Sequence, residues 1–289
     1  MNRLIAERML QIARDASVVV NHVYHGPFRV DYKDRGDPVT VADQWANELI
    51  CERLHLYYPD VHIVAEESAP AVSTEYAKAE RIFFVDPLDG TREFIARNGE
   101  FVIMIGLVDG DRPTIGVIHA PARGVSWVGI VGEGAWQVDA RGAESAIQVS
   151  TVADLCRAKI VVSRSHRNDA LARAEAALGA AETIAMGSAG LKGSRVATGV
   201  AEAYVAPNYA GKRWDACAVE AIVCAAGGRF TDACGEPFDY RAPSLDNDRG
   251  MVASNGVLHD RLIERLARVD AAPRSQPPSD SLPPALGAA

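Results

Sequence analysis

Short apolar segments separated by turn residues fill the chain between residues 101 and 150. Their spacing, with Gly, Pro and Asp between them, predicts short strands that form an antiparallel meander. After residue 157 the pattern changes, and helix-like segments alternate with short apolar ones, which indicates helices that cover a sheet. Apolar residues at helical spacing, together with helix start and stop signals, predict helices at 2–22, 42–57, 168–180, 190–202, 215–227 and 257–268.

This change of pattern divides the 289 residues into an α+β half, 1–153, and an α/β half, 154–270. The remaining segment, 271–289, is rich in Pro, Ala and Ser and contains no aromatic or β-branched residue. Such a composition lacks the apolar surface needed to dock on a core, so we predict that this tail is disordered.

Composition and charge exclude several classes of protein. No stretch approaches the roughly 20 unbroken apolar residues of a membrane span, and the N-terminus lacks the apolar segment of a signal peptide. Five cysteines without a Cys-x-x-Cys pair are typical of reduced thiols, which favours a cytoplasmic location. A net charge of −8 argues against binding polymeric nucleic acid, but it leaves room for a small anionic substrate beside bound metal ions.

Acidic residues stand at the ends of predicted elements in both halves. Asp86 and Asp89 follow an apolar strand, Glu66 follows the preceding strand, and Asp43 and Asp215 lie at the starts of helices. The four aspartates have ordinary structural interpretations, Asp86 and Asp89 as an Asx turn and Asp43 and Asp215 as helix N-caps. Taken together, they favour a cleft between the halves that holds two or three divalent ions. Carboxylates without His or Cys partners favour Mg²⁺, with Mn²⁺ as a substitute, over zinc.

The turn that follows Asp89 has features of a phosphate site. Gly90 allows the backbone to approach a ligand closely. The amides of Gly90 and Thr91 can bind an anion if a helix begins there. Because a cation can bridge carboxylates to a phosphate, these features predict metal-assisted phosphoryl transfer to water.

Three motifs, in the same order along the chain, resemble the signatures of the inositol monophosphatase superfamily of magnesium-dependent, lithium-sensitive phosphatases. Along the chain they are A-E-E-S at 65–68, D-P-L-D-G-T at 86–91, and Trp214-Asp215 followed by a helix of small residues. The resemblance extends from about residue 4 to residue 267. It implies a layered α-β-α-β-α sandwich of the inositol monophosphatase and fructose-1,6-bisphosphatase type, with the active site between two halves.

The resemblance also implies roles for individual residues. Glu66, Asp86, Asp89 and Asp215 would bind metal through their carboxylates, and Leu88 through its backbone oxygen.

Asp43, Thr91 and Glu66 would orient and deprotonate the attacking, metal-activated water. The substrate-binding residues that the resemblance implies are Gly90, Thr91, Ser163, Ser165, His166, Ser188, Lys192 and Arg195.

Within the superfamily, the runs G-T-R-E-F and N-G-E-F are similar to the 3'(2'),5'-bisphosphate nucleotidase branch, as are V-V-S-R-S-H and G-L-K. That branch removes the 3'-phosphate from adenosine 3',5'-bisphosphate, a by-product of sulfate assimilation. Asn208 stands six residues before Trp214, where inositol monophosphatases place a glutamate that contacts inositol. We therefore expect a bisphosphate nucleotidase of sulfur metabolism that acts on a small phosphorylated substrate, and a homodimer is a further expectation.

Several alternatives stay open. The chain could be an inositol or sugar-phosphate phosphatase of the same superfamily, or a non-catalytic domain whose acids serve only as caps. Lys192 and Arg195, three apart on one predicted helix, could bind an anion or form a solvated helix face. His166 could bind phosphate, stack on a base, or be an ordinary loop histidine.

Overall fold

The structure is a computed structural model that describes residues 1–33, 37–68 and 76–270. The tail predicted to be disordered, 271–289, lies outside the described residues. Within those ranges the helices are α1 (Asn2–His25), α2 (Val41–Tyr57), α3 (Thr91–Ile95), α4 (Asp169–Leu178), α5 (Ala189–Ala197), α6 (Arg213–Ala225) and α7 (His259–Asp270), with short 3₁₀ turns at Tyr76–Lys78 and Leu155–Arg157. None of these helices combines the length and apolar character needed to cross a bilayer.

The strands form two large sheets and one hairpin. In chain order they are β1 (Val30–Tyr32), β2 (Pro38–Thr40), β3 (His62–Ala65), β4 (Arg81–Asp89), β5 (Val102–Asp109), β6 (Arg112–Ala120), β7 (Val125–Ile130), β8 (Gly134–Val138), β9 (Glu144–Ile147), β10 (Lys159–Ser163), β11 (Glu182–Met186), β12 (Ala203–Ala206), β13 (Arg229–Thr231) and β14 (Met251–Ser254).

The order of strands confirms the predicted meander. β3 to β9 lie side by side in chain order in a seven-stranded sheet, antiparallel except for the parallel β3–β4 pair. The second sheet has the order β11-β10-β12-β14-β13 and mixes parallel and antiparallel pairs. β1 and β2 pair as a separate hairpin.

The helices lie in three layers around and between the two sheets. α1 and α2 pack on one face of the seven-stranded sheet through buried residues such as Met9 and Ile50. α5 and α6 fill the space between the sheets. α4 and α7 cover the far face of the second sheet with residues such as Leu171 and Leu262. The α-β-α-β-α sandwich is therefore confirmed.

The predicted helix over 190–202 is too long. α5 ends at Ala197, and Gly199 adopts a φ of +68°. This left-handed conformation stops the helix and turns the chain towards β12.

Three glycines allow α6 to lie directly on the seven-stranded sheet. Gly106, Gly116 and Gly129 stand opposite one another on β5, β6 and β7. A Cβ atom at Gly116 would lie 2.4 Å from the carbonyl oxygen of Ala218, and one at Gly129 would lie 2.6 Å from the Cα atom of Ile222. The close approach of α6 is therefore possible only because this strip of the sheet has no side chains.

We expect Gly116→Ala to lower the free energy of unfolding by roughly 1–3 kcal/mol, since the added methyl group meets helix backbone that cannot rotate away. Urea denaturation measures the loss. Gly26→Ala is the matched control, because its new Cβ would lie 3.4 Å from the nearest atom, the carbonyl oxygen of His22, and should change stability by less than about 0.5 kcal/mol. Equal effects of the two substitutions would contradict this account of α6 packing.

Candidate active site

Three acids from the two halves of the chain meet where β4 ends and α6 begins. One carboxylate oxygen from each of Asp86, Asp89 and Asp215 lies within 4.8 Å of the other two. Asp86 is 2% exposed and Asp89 is 8% exposed, while Asp215 is partly buried. Three of the five acids predicted to lie together are thus adjacent in the folded chain.

An irregularity in β4 orients the side chains of Asp86 and Asp89. β4 pairs regularly with β5 as far as Asp86, the register then shifts, and pairing resumes with Asp89 opposite Val102. Pro87 lies between them and has no N–H to donate to the ladder. The Leu88 amide donates a hydrogen bond to Asp86 Oδ1 at 3.0 Å, so the strand itself fixes that carboxylate.

Asp89 is held from the second half of the chain. Ser188 Oγ donates to Asp89 Oδ2 at 2.5 Å, and the Gly190 amide donates to the same oxygen at 2.8 Å. Ser188 also caps α5 by accepting a hydrogen bond from the Leu191 amide. The hydroxyl of Ser188, which the resemblance assigns to substrate binding, therefore supports Asp89 in this structure.

Asp43 and Asp215 occupy the same position in their helices, the third residue. The backbone N–H of Thr40 donates to Asp43 Oδ2, and that of Lys212 donates to Asp215 Oδ2, each at 2.7 Å. The interpretation of these two acids as N-caps is wrong, because the N-cap residues are Thr40 and Lys212. At this third position, one carboxylate oxygen accepts a hydrogen bond from the backbone N–H of the N-cap residue. The other carboxylate oxygen remains available to the candidate active site.

The free oxygen of Asp43 meets Thr91. Thr91 Oγ1 lies 3.0 Å from Asp43 Oδ1 and 3.3 Å from the carbonyl oxygen of Leu88. A short helix, α3, does begin at Thr91, which is the condition that the sequence analysis set for an anion site, and Gly90 caps that helix with a φ of +98°. A Cβ atom at Gly90 would lie 2.8 Å from the carbonyl oxygen of Glu100, so only glycine fits this turn.

The charges of the site raise the pKa values of its carboxyl groups. Burial, followed by the charges of Glu66, Asp89 and Asp215, raises the pKa of Asp86 well above its ordinary value. Burial and the charges of Asp89 and Glu66 do the same for Asp215. Burial also raises the pKa of Asp43 to about 6. Crowded carboxylates of this kind are stabilised by a cation, and their oxygens are the donors that Mg²⁺ prefers.

Glu66 stands beside the cluster and pairs with a lysine. Lys33 Nζ donates to Glu66 Oε1 at 2.8 Å and also to Glu67 Oε1. Burial opposes the ammonium form of Lys33, but the charges and hydrogen bonds of the two glutamates raise its pKa above the ordinary value. Glu66 is thus near enough to act on the aspartates, although it lies outside the 4.8 Å group.

Three residues nominated for substrate binding, Ser163, Ser165 and His166, lie in one segment that contacts Glu93. Ser163 Oγ accepts a hydrogen bond from the His166 amide at 3.1 Å and lies 3.4 Å from His166 Nδ1. Ser165 Oγ donates to Glu93 Oε1. Burial, followed by the charges of Arg92 and Lys192, lowers the pKa of His166, and Glu93 opposes this shift.

Lys192 is buried, so the interpretation of its side chain as part of a solvated helix face is wrong. Lys192 is only 4% exposed, and its Nζ donates a hydrogen bond to the carbonyl oxygen of Ser188 at 2.8 Å. The ammonium also lies 4.9 Å from the ring centroid of Tyr204. Burial lowers the pKa of Lys192, whereas Asp89 and other nearby carboxylates oppose that shift. Arg195, one turn further along α5, is partly exposed.

Comparison with known proteins decides the family. The sequence model of the inositol monophosphatase family matches residues 2–271. The chain belongs to the inositol monophosphatase family. Among curated relatives, the 3'(2'),5'-bisphosphate nucleotidase CysQ of Salmonella typhimurium is 38% identical over 237 residues, which cover 81% of this chain and 93% of that protein. The Escherichia coli K12 enzyme of the same name is 37% identical over the same length.

Solved structures of the family share the fold. CysQ from Bacteroides thetaiotaomicron superposes with a TM-score of 0.73 at 27% identity, covering 87% of this chain and 97% of that one. An IMPase from Thermotoga maritima superposes with a TM-score of 0.79 at 25% identity, covering 94% and 99%. The resemblance seen in the sequence motifs is confirmed.

Two acids of this family member escaped assignment from sequence. Glu93 and Glu100 belong to the nucleotidase-like runs and reach towards loops of the second half. Each directly precedes a fully buried phenylalanine, Phe94 or Phe101. The Glu-Phe pair that occurs twice, at 93–94 and at 100–101, was the signal available in the sequence.

Proposed function

We propose that this chain is a Mg²⁺-dependent 3'(2'),5'-bisphosphate nucleotidase that hydrolyses the 3'-phosphate of adenosine 3',5'-bisphosphate. The observation that supports this most directly is the 38% identity to a CysQ enzyme across 93% of that enzyme's length. The nucleotidase-like runs around Glu93 and Glu100 support the same substrate. A role in sulfur metabolism and a cytoplasmic location belong to this proposal, and five free cysteines agree with a reducing compartment.

The residues proposed to hold the metal are Asp86, Asp89 and Asp215, with Glu66 and the backbone oxygen of Leu88. Three crowded carboxylates with raised pKa values fit a divalent cation, and hard oxygen donors fit Mg²⁺ or Mn²⁺. Two or three bound ions would supply electrostatic stabilisation for the charge that develops in phosphoryl transfer.

The proposed acid–base pair is Thr91 with Asp43. Thr91 Oγ1 donates to Asp43 Oδ1, so the hydroxyl oxygen remains free to accept a hydrogen bond from a water molecule. Asp43 can then receive a proton through the Thr91 hydroxyl as the water attacks phosphorus. The amides of Gly90 and Thr91, at the first turn of α3, are proposed to hold the phosphate oxygens.

A second candidate is an inositol or sugar-phosphate phosphatase, favoured by the shared fold of the Thermotoga maritima IMPase. Asn208 distinguishes the two candidates, because it offers a neutral amide where inositol monophosphatases use a carboxylate. A neutral acceptor makes a hydrogen bond about half as strong as an ionised one. This difference supports the nucleotidase.

We expect kcat/KM for adenosine 3',5'-bisphosphate to exceed that for inositol 1-phosphate by at least about tenfold, because Asn208 lacks the charge that the inositol ring hydroxyls would use. Phosphate release from a panel that also includes fructose 1,6-bisphosphate and the phosphosulfate form of the nucleotide measures this preference. A higher kcat/KM for inositol 1-phosphate would replace the nucleotidase by the second candidate.

Lithium should inhibit the enzyme by competing with magnesium at a site built from hard carboxylate oxygens. Initial rates are measured across a LiCl titration, with KCl at matched ionic strength as the control. Superimposable curves for the two salts would remove lithium sensitivity from the proposal.

A further inference from the structure

Two carboxylates from the first half of the sequence accept hydrogen bonds from loops of the second half. Glu100 Oε2 and Oε1 accept hydrogen bonds from the Arg164 guanidinium at 2.5 and 2.9 Å. Glu100 Oε2 also accepts from the Gly187 amide at 2.7 Å. Glu93 Oε1 accepts a hydrogen bond from Ser165 Oγ. We call Glu93, Glu100, Arg164, Ser165 and Gly187 the clamp.

The carboxylate side of the clamp is largely buried and closely fitted, whereas Arg164 and Ser165 are exposed. Glu93 is 4% exposed, and the Glu100 side chain is 14% exposed. A Cβ atom at Gly187 would lie 2.3 Å from Glu93 Cγ, so the Glu93 side chain passes against bare backbone. Gly187 immediately precedes Ser188, whose hydroxyl donates to Asp89. The contacts of the clamp therefore continue directly into those of the acidic cluster.

We propose that Glu93 and Glu100 are positioning residues that set the 163–166 segment against the Thr91 turn, and that they determine selectivity for substrates extending beyond the reacting phosphate. This inference rests on the proposed function, since a bisphosphate nucleotide is such a substrate. It also gives a physical role to the two runs in which the chain resembles the nucleotidase branch.

The position of His166 carries the selectivity. His166 lies directly after the clamped residues Arg164 and Ser165, and its amide donates a hydrogen bond to Ser163 Oγ at 3.1 Å. Its imidazole Nδ1 lies 3.4 Å from the same hydroxyl, so the ring belongs to the segment that the clamp holds. Because a displacement of about 1 Å can cost roughly a hundredfold in rate, release of this segment should weaken contacts made away from the reacting phosphate.

The charge on Glu100 matters as well as its shape. An arginine–carboxylate pair with two parallel hydrogen bonds fixes orientation, which a single neutral bond does not. Burial opposes the ionised form of Glu100, but the hydrogen bonds from Arg164 and Gly187 lower its pKa below the ordinary value. The carboxylate thus keeps its charge at neutral pH.

A second pair of the same chemistry provides a matched control. Arg167 Nη2 lies 3.0 and 2.8 Å from the two carboxylate oxygens of Glu175. Both residues of that pair belong to the second half of the sequence, so the pair does not join the two halves. Loss of the Arg167–Glu175 pair removes a similar surface contact and leaves the clamp intact.

The test compares Arg164→Ala, Glu100→Gln and the double variant, with adenosine 3',5'-bisphosphate and with p-nitrophenyl phosphate as substrates. We expect KM for the bisphosphate to rise about 10- to 100-fold, while kcat/KM for p-nitrophenyl phosphate and the Mg²⁺ concentration for half-maximal rate change less than about twofold. The double variant should lose no more than the worse single variant, because both remove one interaction. Arg164→Lys should fall between wild type and Arg164→Ala, and Arg167→Ala should resemble wild type.

Equal losses for both substrates would overturn the proposal in favour of a merely structural role, and so would unchanged kinetics or additive losses in the double variant. Glu100→Gln keeps the size of the side chain and an acceptor for Gly187, so it tests the clamp even where Arg164→Ala fails to fold. The substrate panel on the wild type decides the proposed function separately. If inositol 1-phosphate is preferred, the same comparison of single and double variants is made with that substrate and with p-nitrophenyl phosphate. That comparison still tests the proposed role of the clamp.

Discussion

Asparagine in place of Asp86 should lower kcat at saturating Mg²⁺ by at least about a hundredfold, the scale of losing a fixed group that stabilises transition-state charge. Asp86 is buried and contributes one of three carboxylate oxygens that lie within 4.8 Å of one another. An amide keeps the shape of the side chain and removes its negative charge. Initial rates across a Mg²⁺ titration measure the loss.

In the absence of metal, the same substitution that lowers kcat should make the folded protein more stable. Burial and the charges of Glu66, Asp89 and Asp215 raise the pKa of Asp86, which means that the ionised cluster repels itself. Asp86→Asn should therefore raise the thermal midpoint in EDTA. Added Mg²⁺ should stabilise the wild type by binding to the folded state, and should stabilise the variant much less.

Asp232→Asn provides the control for a general loss of a buried acid. Asp232 accepts hydrogen bonds from the amides of Cys234 and Glu236 and pairs with Arg249, and none of these partners belongs to the acidic cluster. This variant should lose stability and keep its response to Mg²⁺. Undiminished turnover of Asp86→Asn at saturating Mg²⁺ would disprove the metal assignment.

The sequence predicted the acidic cluster where its geometry is local. Asp86 and Asp89 are three residues apart at the end of an apolar strand, so their proximity follows from one short segment. Glu66 was predictable for a related reason, since β3 runs parallel to β4 and both strands end at the same edge. The sequence placed Asp43 and Asp215 at the starts of helices. Their exact position in the first turn depends on which backbone N–H donates a hydrogen bond to each carboxylate, and this was not predictable.

The glycine strip under α6 could not be predicted, because it depends on strand register. Gly106, Gly116 and Gly129 are ten and thirteen residues apart in sequence, and only the pairing of β5, β6 and β7 brings them into one line. The burial of Lys192 escaped prediction for a similar reason. Helical spacing shows which residues share a face of α5, but the neighbouring carboxylates that make an inward ammonium tolerable come from other elements.

Valine in place of Thr91 should lower kcat by about 10²- to 10⁴-fold, the range expected for loss of a general acid–base group. Valine matches the shape of threonine but cannot donate to Asp43 or accept a hydrogen bond from water. Thr91→Ser keeps the hydroxyl and should stay within about tenfold of wild type. The comparison of these two variants separates the hydroxyl from the packing of the side chain.

Asp43 should give this pair its pH dependence. Burial raises the pKa of Asp43 to about 6, so its carboxylate accepts a proton above that pH and loses this capacity as pH falls through it. The wild-type rate should therefore decline below about pH 6. Asp43→Asn should match Thr91→Val in its loss of kcat, should abolish this decline, and should add little when the two are combined, because both residues move the same proton. A full additional loss in the double variant would show that Asp43 and Thr91 act independently, and the proton path through the Thr91 hydroxyl would be wrong.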